Sequence, residues 1–130
     1  MTKLKKILLV EDDFDIQEII KCTLSSIGGF SVDVCSSGEE ALKKISHLKP
    51  QLILLDVMMP FMDGPTTLQH LKQMEEAASI PVIFITAKVQ PHELASYEKM
   101  GVLGTISKPF DPMTLAEIVL QMWKKNGLDK

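Results

Sequence analysis

The segment that decides the fold is LILLDVMMP, residues 52–60. Its four consecutive apolar residues favour a strand that is buried on both faces, as in a parallel sheet covered by helices. The run ends on a single carboxylate, Asp56, and Pro60 follows within a short loop. In an open α/β sheet, the carboxyl ends of the strands border the ligand crevice. We therefore predict that Asp56 carries the chemistry of this protein.

The composition is that of one globular domain, with 130 residues, 45% of them hydrophobic and 24% charged. The net charge of −3 offers no basic surface of the kind that binds phosphates, so we expect no nucleic-acid partner. No apolar run approaches the ~20 residues that span a bilayer, so we expect no membrane association. Two cysteines without metal-ligand or disulfide spacing favour a reducing, cytoplasmic location.

Strand-like and helix-like segments alternate, which predicts a parallel sheet with helices on both faces. The strands near 6–10, 52–55 and 81–86 are apolar enough to be buried, whereas 30–35 and 104–107 have the half-polar pattern of edge strands. This arrangement predicts an α/β, doubly wound, five-stranded parallel sheet of the flavodoxin-like (βα)5 type, with strand order 2-1-3-4-5. Helices are predicted over 14–27, from Ser37 to the residue before Pro50, from Pro65 through Met74, over 91–100, and from Pro112 onwards.

The first helix should bury an apolar face at helical spacing. Cys22 and Cys35 are predicted to be buried free thiols, and Trp123 to pack in the last helix. The predicted face of the first helix comprises Ile16, Ile19, Ile20, Thr23, Leu24 and Ile27.

Acidic residues gather where the first and third strands end. Glu11, Asp12 and Asp13 follow the first strand, and Asp56 ends the third, so the predicted topology opens them onto one crevice. Clustered carboxylates repel one another unless a cation lies among them. Magnesium prefers oxygen ligands, and Asp12 or Asp13 together with Asp56 would supply them. Alternatively, the acidic triplet caps the following helix, because acidic side chains favour helix N-termini.

Two further strand ends add a hydroxyl group and an ammonium group. Thr86 ends the fourth strand, and Lys108 ends the fifth. Pro109 follows Lys108 directly and would fix the direction of the lysine, for which a cis peptide is one route. A carboxylate beside a metal, a hydroxyl and a lysine is suited to accept a phosphoryl group, because the cations neutralise charge on the transferred oxygens. Aspartate is a known nucleophile for phosphoryl groups. The alternative for Lys108 is a solvated lysine in a turn.

The motifs that carry these groups resemble the receiver domain of two-component response regulators. The matching pieces cover essentially the whole chain: LVEDD (9–13), LLDVMMP (54–60), MDG (62–64), ITA (85–87) and KPF (108–110). The resemblance implies a stand-alone, chemotaxis-regulator-like receiver domain over 1–125 and a polar tail over 126–130. It also implies the strand order above, of which a chemotaxis member of the family is a known example.

The resemblance implies a role for each matching residue. Asp56 would accept a phosphoryl group from a sensor histidine kinase or histidine phosphotransfer protein, with Mg²⁺ as the cofactor. Its oxygens would be met by the hydroxyl of Thr86 and the ammonium of Lys108, and Ala87 would leave room for it. Glu11 would have a supporting role. The implied metal ligands are Asp12, Asp13, Asp56 and the backbone carbonyl of Met58.

The implied function is signalling rather than enzymatic turnover of a separate substrate. Because no second domain follows in this sequence, we expect the output to be a conformational change read by a downstream protein. One departure concerns that output: many members carry an aromatic residue three positions before the lysine, and this chain has Thr105 there. Positions that tune dephosphorylation correspond to Met58 and Lys88, and an apolar Met58 predicts a long-lived phosphorylated form.

Two alternative functions are compatible with part of this pattern. A phosphatase or hydrolase of another doubly wound family would also form an aspartyl-phosphate, but usually has a second acid two residues after the nucleophile, where this chain has Met58. A degenerate receiver would bind partners without being phosphorylated. The intact acceptor set argues against that reading; it comprises Asp12, Asp13, Asp56, Thr86 and Lys108.

Overall fold

The computed structural model describes residues 3–87 and 90–127, which form five strands and five helices in strict alternation. The strands pair in parallel in the order β2-β1-β3-β4-β5, so the predicted fold class and strand order are confirmed. Lys88 and residues 128–130 of the predicted tail lie outside the described residues. The elements are β1 (Lys6–Val10), α1 (Phe14–Ser26), β2 (Ser31–Cys35), α2 (Gly38–Leu48), β3 (Leu52–Asp56), α3 (Gly64–Lys72), β4 (Val82–Ala87), α4 (Pro91–Lys99), β5 (Gly104–Lys108) and α5 (Pro112–Lys125).

Strand β3 is buried on both faces, as its continuous apolar sequence predicts. Leu52 and Leu54 belong to a hydrophobic cluster that includes residues of α1 and α5, whereas Ile53 and Leu55 belong to a second cluster with residues of α2 and α3. All four side chains are fully buried. Each contributes roughly 1.5–3 kcal/mol relative to an exposed position, so the strand that carries Asp56 is held rigidly between two layers of helices.

Strand register brings the carboxyl ends of four strands to one edge of the sheet. Val10 pairs with Leu55, and Asp56 pairs with Ile85. On the far side of β4, Ala87 pairs with Lys108. These four strands therefore end at the same edge of the sheet, with β4 and β5 extending beyond the ends of β1 and β3.

Helix-start signals in the sequence match the observed caps. The Ser37 hydroxyl accepts a hydrogen bond from the amide of Glu40 at the start of α2, and Asp63 accepts one from the amide of Thr66 at the start of α3. Asp111 caps α5, and proline follows it at the first helical position. These bonds satisfy amide groups that have no partner within the helix.

The predicted buried face of α1 was too wide. Ile19 and Ile27 are 45% and 51% exposed, and Cys22 is also exposed. The helix packs through Ile20 and Leu24, whereas Ile27 is the residue at which the helix ends. Helical spacing alone does not say how much of an apolar stripe its neighbours cover. Cys35 is buried and Trp123 packs in the core, as predicted.

None of the helices in the described part of the chain combines the length and the apolar character that a membrane crossing requires.

Candidate functional site

Asp56 ends β3 with 2% of its surface exposed. Its Oδ1 lies 3.2 Å from Nζ of Lys108 and accepts a hydrogen bond from the amide of Met58 at 3.3 Å. The chain then loops back so tightly that a Cβ on Gly64 would lie 2.5 Å from the carbonyl oxygen of Asp56. Glycine is therefore required in the MDG motif because the backbone of α3 packs directly against the strand end.

Lys108 bridges two carboxylates that come from different strands. Its Nζ donates a hydrogen bond to Oε1 of Glu11 at 3.0 Å and also contacts Asp56. Glu11 follows β1 directly and has no exposed surface. Lys108 is only partly exposed and points into the crevice, so the alternative of a solvated lysine in a turn is wrong. The Lys108–Pro109 peptide is cis.

Burial and Lys108 shift the pKa of Glu11 in opposite directions. The net effect raises the pKa of Glu11 to about 7. Burial is the main cause and the charge of Asp56 adds to it, whereas hydrogen bonds from the Asp13 amide and from Lys108 act in the opposite direction. At Lys108, burial lowers the pKa, but the hydrogen bond and charge of Glu11, with Asp56, raise it above its ordinary value overall. The lysine therefore stays protonated, and the carboxylates share one positive charge.

The acidic triplet after β1 divides between the two roles that its sequence left open. Glu11, Asp12 and Asp56 each offer one carboxylate oxygen, and these three oxygens lie within 4.8 Å of one another. Asp13 is not in this group. Its Oδ1 accepts hydrogen bonds from the amides of Asp15 and Ile16 and thereby caps α1. The structure thus places Glu11, rather than Asp13, beside Asp12 and Asp56.

Thr86 and Met58 flank Asp56 from neighbouring elements. Thr86 lies on β4, one residue beyond the partner of Asp56, and is 1% exposed. The Met58 side chain is largely exposed, while its amide faces Asp56. Of the described residues that the sequence proposed for the site, all lie at this edge of the sheet, although Asp13 uses its carboxylate elsewhere.

Two features of the site were missed from the sequence. Glu11 was assigned only a supporting role, although its side chain is fully buried and it is the direct partner of Lys108. Gln17, on α1, donates a hydrogen bond to the backbone carbonyl of Glu11. For Glu11 the available signal was its position immediately after an apolar strand. No sequence pattern marked Gln17.

The family sequence model for the response regulator receiver domain matches residues 7–120 of this chain. The chain belongs to the response regulator receiver family. Among curated relatives of this receiver, the probable transcriptional regulator ycf29 of Porphyra purpurea is 35% identical over 95% of the chain and 58% of its own length. The response regulator Rre1 of Synechocystis is 35% identical over 87% of the chain and 49% of its own length. The receiver spans about half the length of the curated relatives it matches.

Solved structures resemble the receiver over nearly its full length. The chemotaxis response regulator CheY4 of Vibrio cholerae superposes with a TM-score of 0.84 and 27% identity, covering 92% of this chain and 99% of that chain. The receiver domain of the Francisella response regulator 1452 gives a TM-score of 0.82 and 29% identity, covering 94% and 98%. The receiver is therefore CheY-like in fold.

Proposed function

We propose that this receiver accepts a phosphoryl group on Asp56 from a histidine kinase or histidine phosphotransfer protein and then signals to a protein partner. The observation that carries the proposal is the Lys108 ammonium 3.2 Å from Oδ1 of Asp56, beside two further carboxylates. A protonated lysine next to a buried nucleophilic carboxylate stabilises the charge that a phosphoryl group brings. The receiver acts on its own side chain and does not turn over a separate substrate.

The donor set fits a hard divalent cation. Asp12 and Asp56 present oxygen atoms only, and carboxylate and carbonyl oxygens suit magnesium rather than the softer transition metals. We infer that Asp12, Asp56 and the backbone carbonyl of Met58 hold Mg²⁺. We leave Asp13 out of the inner ligand set because its Oδ1 already caps α1. When bound, the metal would neutralise charge on the phosphoryl oxygens.

The side chains of the receiver divide the remaining work. A free Oδ of Asp56 forms the new bond to phosphorus while the phosphorus–nitrogen bond of the phosphohistidine breaks, and the departing imidazole takes up a proton from water. Lys108 is already at contact distance and supplies positive charge. Thr86, at the neighbouring strand end, would donate its hydroxyl hydrogen to a phosphoryl oxygen. We place this reaction in the cytoplasm, where free thiols persist.

The output surface is proposed to lie around α4 and β5. Thr105 pairs with Phe84 in the sheet, and the ring of Tyr97 on α4 packs edge-on against Phe84 with centroids 5.1 Å apart. No residue of α4 is fully buried, so this helix shifts at low cost when the neighbouring Thr86 moves toward a phosphoryl group. We propose that a protein partner reads this shift.

The test is labelling with a small phosphodonor. Wild-type protein incubated with acetyl phosphate and Mg²⁺ should gain one phosphoryl group by intact mass, and Asp56→Asn should gain none. Asp63→Asn is the matched control, because asparagine also caps a helix and Asp63 is exposed in the same loop. Labelling of the Asp56→Asn protein, or no labelling of the wild type, would reject the proposal.

A further inference from the structure

One buried polar side chain lies behind the acidic cluster rather than in it. Gln17 is 8% exposed, and its Nε2 donates hydrogen bonds to the backbone carbonyl of Glu11 at 2.5 Å and to Oγ of Ser36 at 3.1 Å. A buried amide group is costly unless its hydrogens find acceptors. These two contacts use both hydrogens, and they join α1 to the end of β1 and to the loop that follows β2.

The backbone of Glu11 is thereby held from two sides. Its amide donates to the carbonyl of Cys35 at 3.1 Å, and its carbonyl accepts from Gln17. Ser36 is fixed in turn, because its amide donates to Oε1 of Glu40 at 2.6 Å. The residue that holds Lys108 is thus anchored to β2, to α1 and, through Ser36, to the start of α2.

We propose that Gln17 is a positioning residue for phosphorylation of Asp56. It fixes the backbone of Glu11, and through it the carboxylates of Glu11 and Asp12 that lie beside Asp56. This inference rests on the proposed function and adds a residue outside the acceptor site. Groups that orient the residues of a metal site typically change metal affinity or activity by about 10–100-fold when they are removed.

Four variants separate positioning from simple packing. Gln17→Met keeps length and approximate volume but has no donor, and Gln17→Arg restores N–H donors at similar reach. Ser36→Ala removes one of the two acceptors. Gln121→Met is the control, because this exposed glutamine on α5 donates a side-chain hydrogen bond to Glu117, one turn earlier in the same helix. Circular dichroism establishes that each variant is folded at the assay temperature.

Three readouts are measured on each variant. The first two are the maximum rate of labelling by acetyl phosphate and the Mg²⁺ concentration that gives half of that rate. The third is amide hydrogen exchange without metal at Asp13, whose N–H donates to Oε2 of Glu11 at 3.1 Å. We expect Gln17→Met to lower the rate at subsaturating Mg²⁺ by on the order of tenfold and to speed exchange at Asp13. Ser36→Ala should show a smaller loss, and Gln17→Arg should recover most of the wild-type behaviour.

The outcomes distinguish this inference from the proposed function. If the wild type is labelled on Asp56 and a folded Gln17→Met protein matches it in rate, Mg²⁺ dependence and exchange, the positioning role is overturned while the proposed function stands. If Gln17→Met does not fold, a folded Ser36→Ala protein that matches the wild type in all three readouts overturns the role equally. If the wild type is never labelled, both the positioning role of Gln17 and the proposed function are overturned.

Discussion

The ammonium of Lys108 lies 3.0 Å from Oε1 of Glu11, a carboxylate that has no exposed surface. The same nitrogen lies 3.2 Å from Asp56, so one lysine on β5 ties the end of β1 to the end of β3. Two carboxylates and one ammonium leave this cluster with a net negative charge when all three are ionised. That surplus is the electrostatic basis for the proposal that a divalent cation binds beside Asp12.

The first prediction concerns the pH dependence of folding stability without metal. The pKa of Glu11 is raised from 4.5 to about 7, so the folded state binds more protons than the unfolded state between these values. The free energy of unfolding therefore falls as pH rises from about 4.5 to about 7. Glu11→Gln lacks this contribution. The stability of wild type relative to Glu11→Gln should fall by roughly 2–4 kcal/mol across that range and level off above it.

Urea unfolding in EDTA at several pH values checks this result. Asp63→Asn serves as the control, since an exposed carboxylate should leave the slope between pH 5 and 7 close to that of the wild type, roughly within experimental error. Parallel curves for wild type and Glu11→Gln would show that burial does not perturb Glu11.

The sequence predicts the sheet well because the spacing of its apolar residues indicates which faces of each strand are buried. The continuous apolar run of β3 and the alternating run of β2 differ in kind, and this difference was enough to separate central strands from edges. The strand ends then identified Asp56, Thr86 and Lys108 without any knowledge of distances. These inferences depend on a side-chain period of two and on the rules of parallel connections, which are local or general properties.

The division of the acidic triplet could not be read in the same way. Whether Glu11 or Asp13 faces Asp56 depends on where β1 stops and where α1 begins, and both lie within a few residues. The backbone of Glu11 continues the pairing with β2 through the carbonyl of Cys35, which keeps the chain extended for one more residue. Asp13 then stands at the N-cap, a position that favours aspartate. If β1 ended one residue later, Asp13 would replace Glu11 as the neighbour of Asp12 beside Asp56. Assignments of strand and helix ends differ by at least one residue.

The second prediction concerns Phe61 in the loop after β3. Its φ of 68° lies in the left-handed region, and its side chain is fully exposed. Residues other than glycine and asparagine are strained in this region by about 1–2 kcal/mol. Because the Phe61 side chain is fully exposed, its packing does not offset this cost. Phe61→Asn should therefore raise the free energy of unfolding by about 0.5–1 kcal/mol. Phe61→Ala retains Cβ and should leave stability nearly unchanged; equal urea midpoints for all three proteins would contradict the strain argument.

The third prediction distinguishes the two free thiols. Burial raises the pKa of Cys35 to about 11, and the charge of Glu40 contributes, so about one thiol in a thousand is ionised at pH 8. Cys22 is exposed on α1. Iodoacetamide should modify one cysteine of the native protein, located by peptide mass spectrometry at Cys22, and both cysteines in urea. Cys22→Ser should remain unmodified under native conditions, and rapid modification of its Cys35 would show that β2 opens readily.

The last prediction concerns the lifetime of the phosphorylated form. The side chain of Met58 is largely exposed, two residues beyond Asp56, and its amide contacts Oδ1 of Asp56. A thioether neither donates a proton nor orients an attacking water, because sulfur is only a weak acceptor. Met58→Asn places an amide at this position, and we expect it to shorten the half-life of the phosphorylated protein severalfold without changing its labelling by acetyl phosphate. Met58→Leu is the matched apolar control and should keep the wild-type half-life. The decay is followed by intact mass after the phosphodonor is removed, and a phosphorylated wild type that decays within seconds, as fast as Met58→Asn, would show that this side chain does not limit hydrolysis.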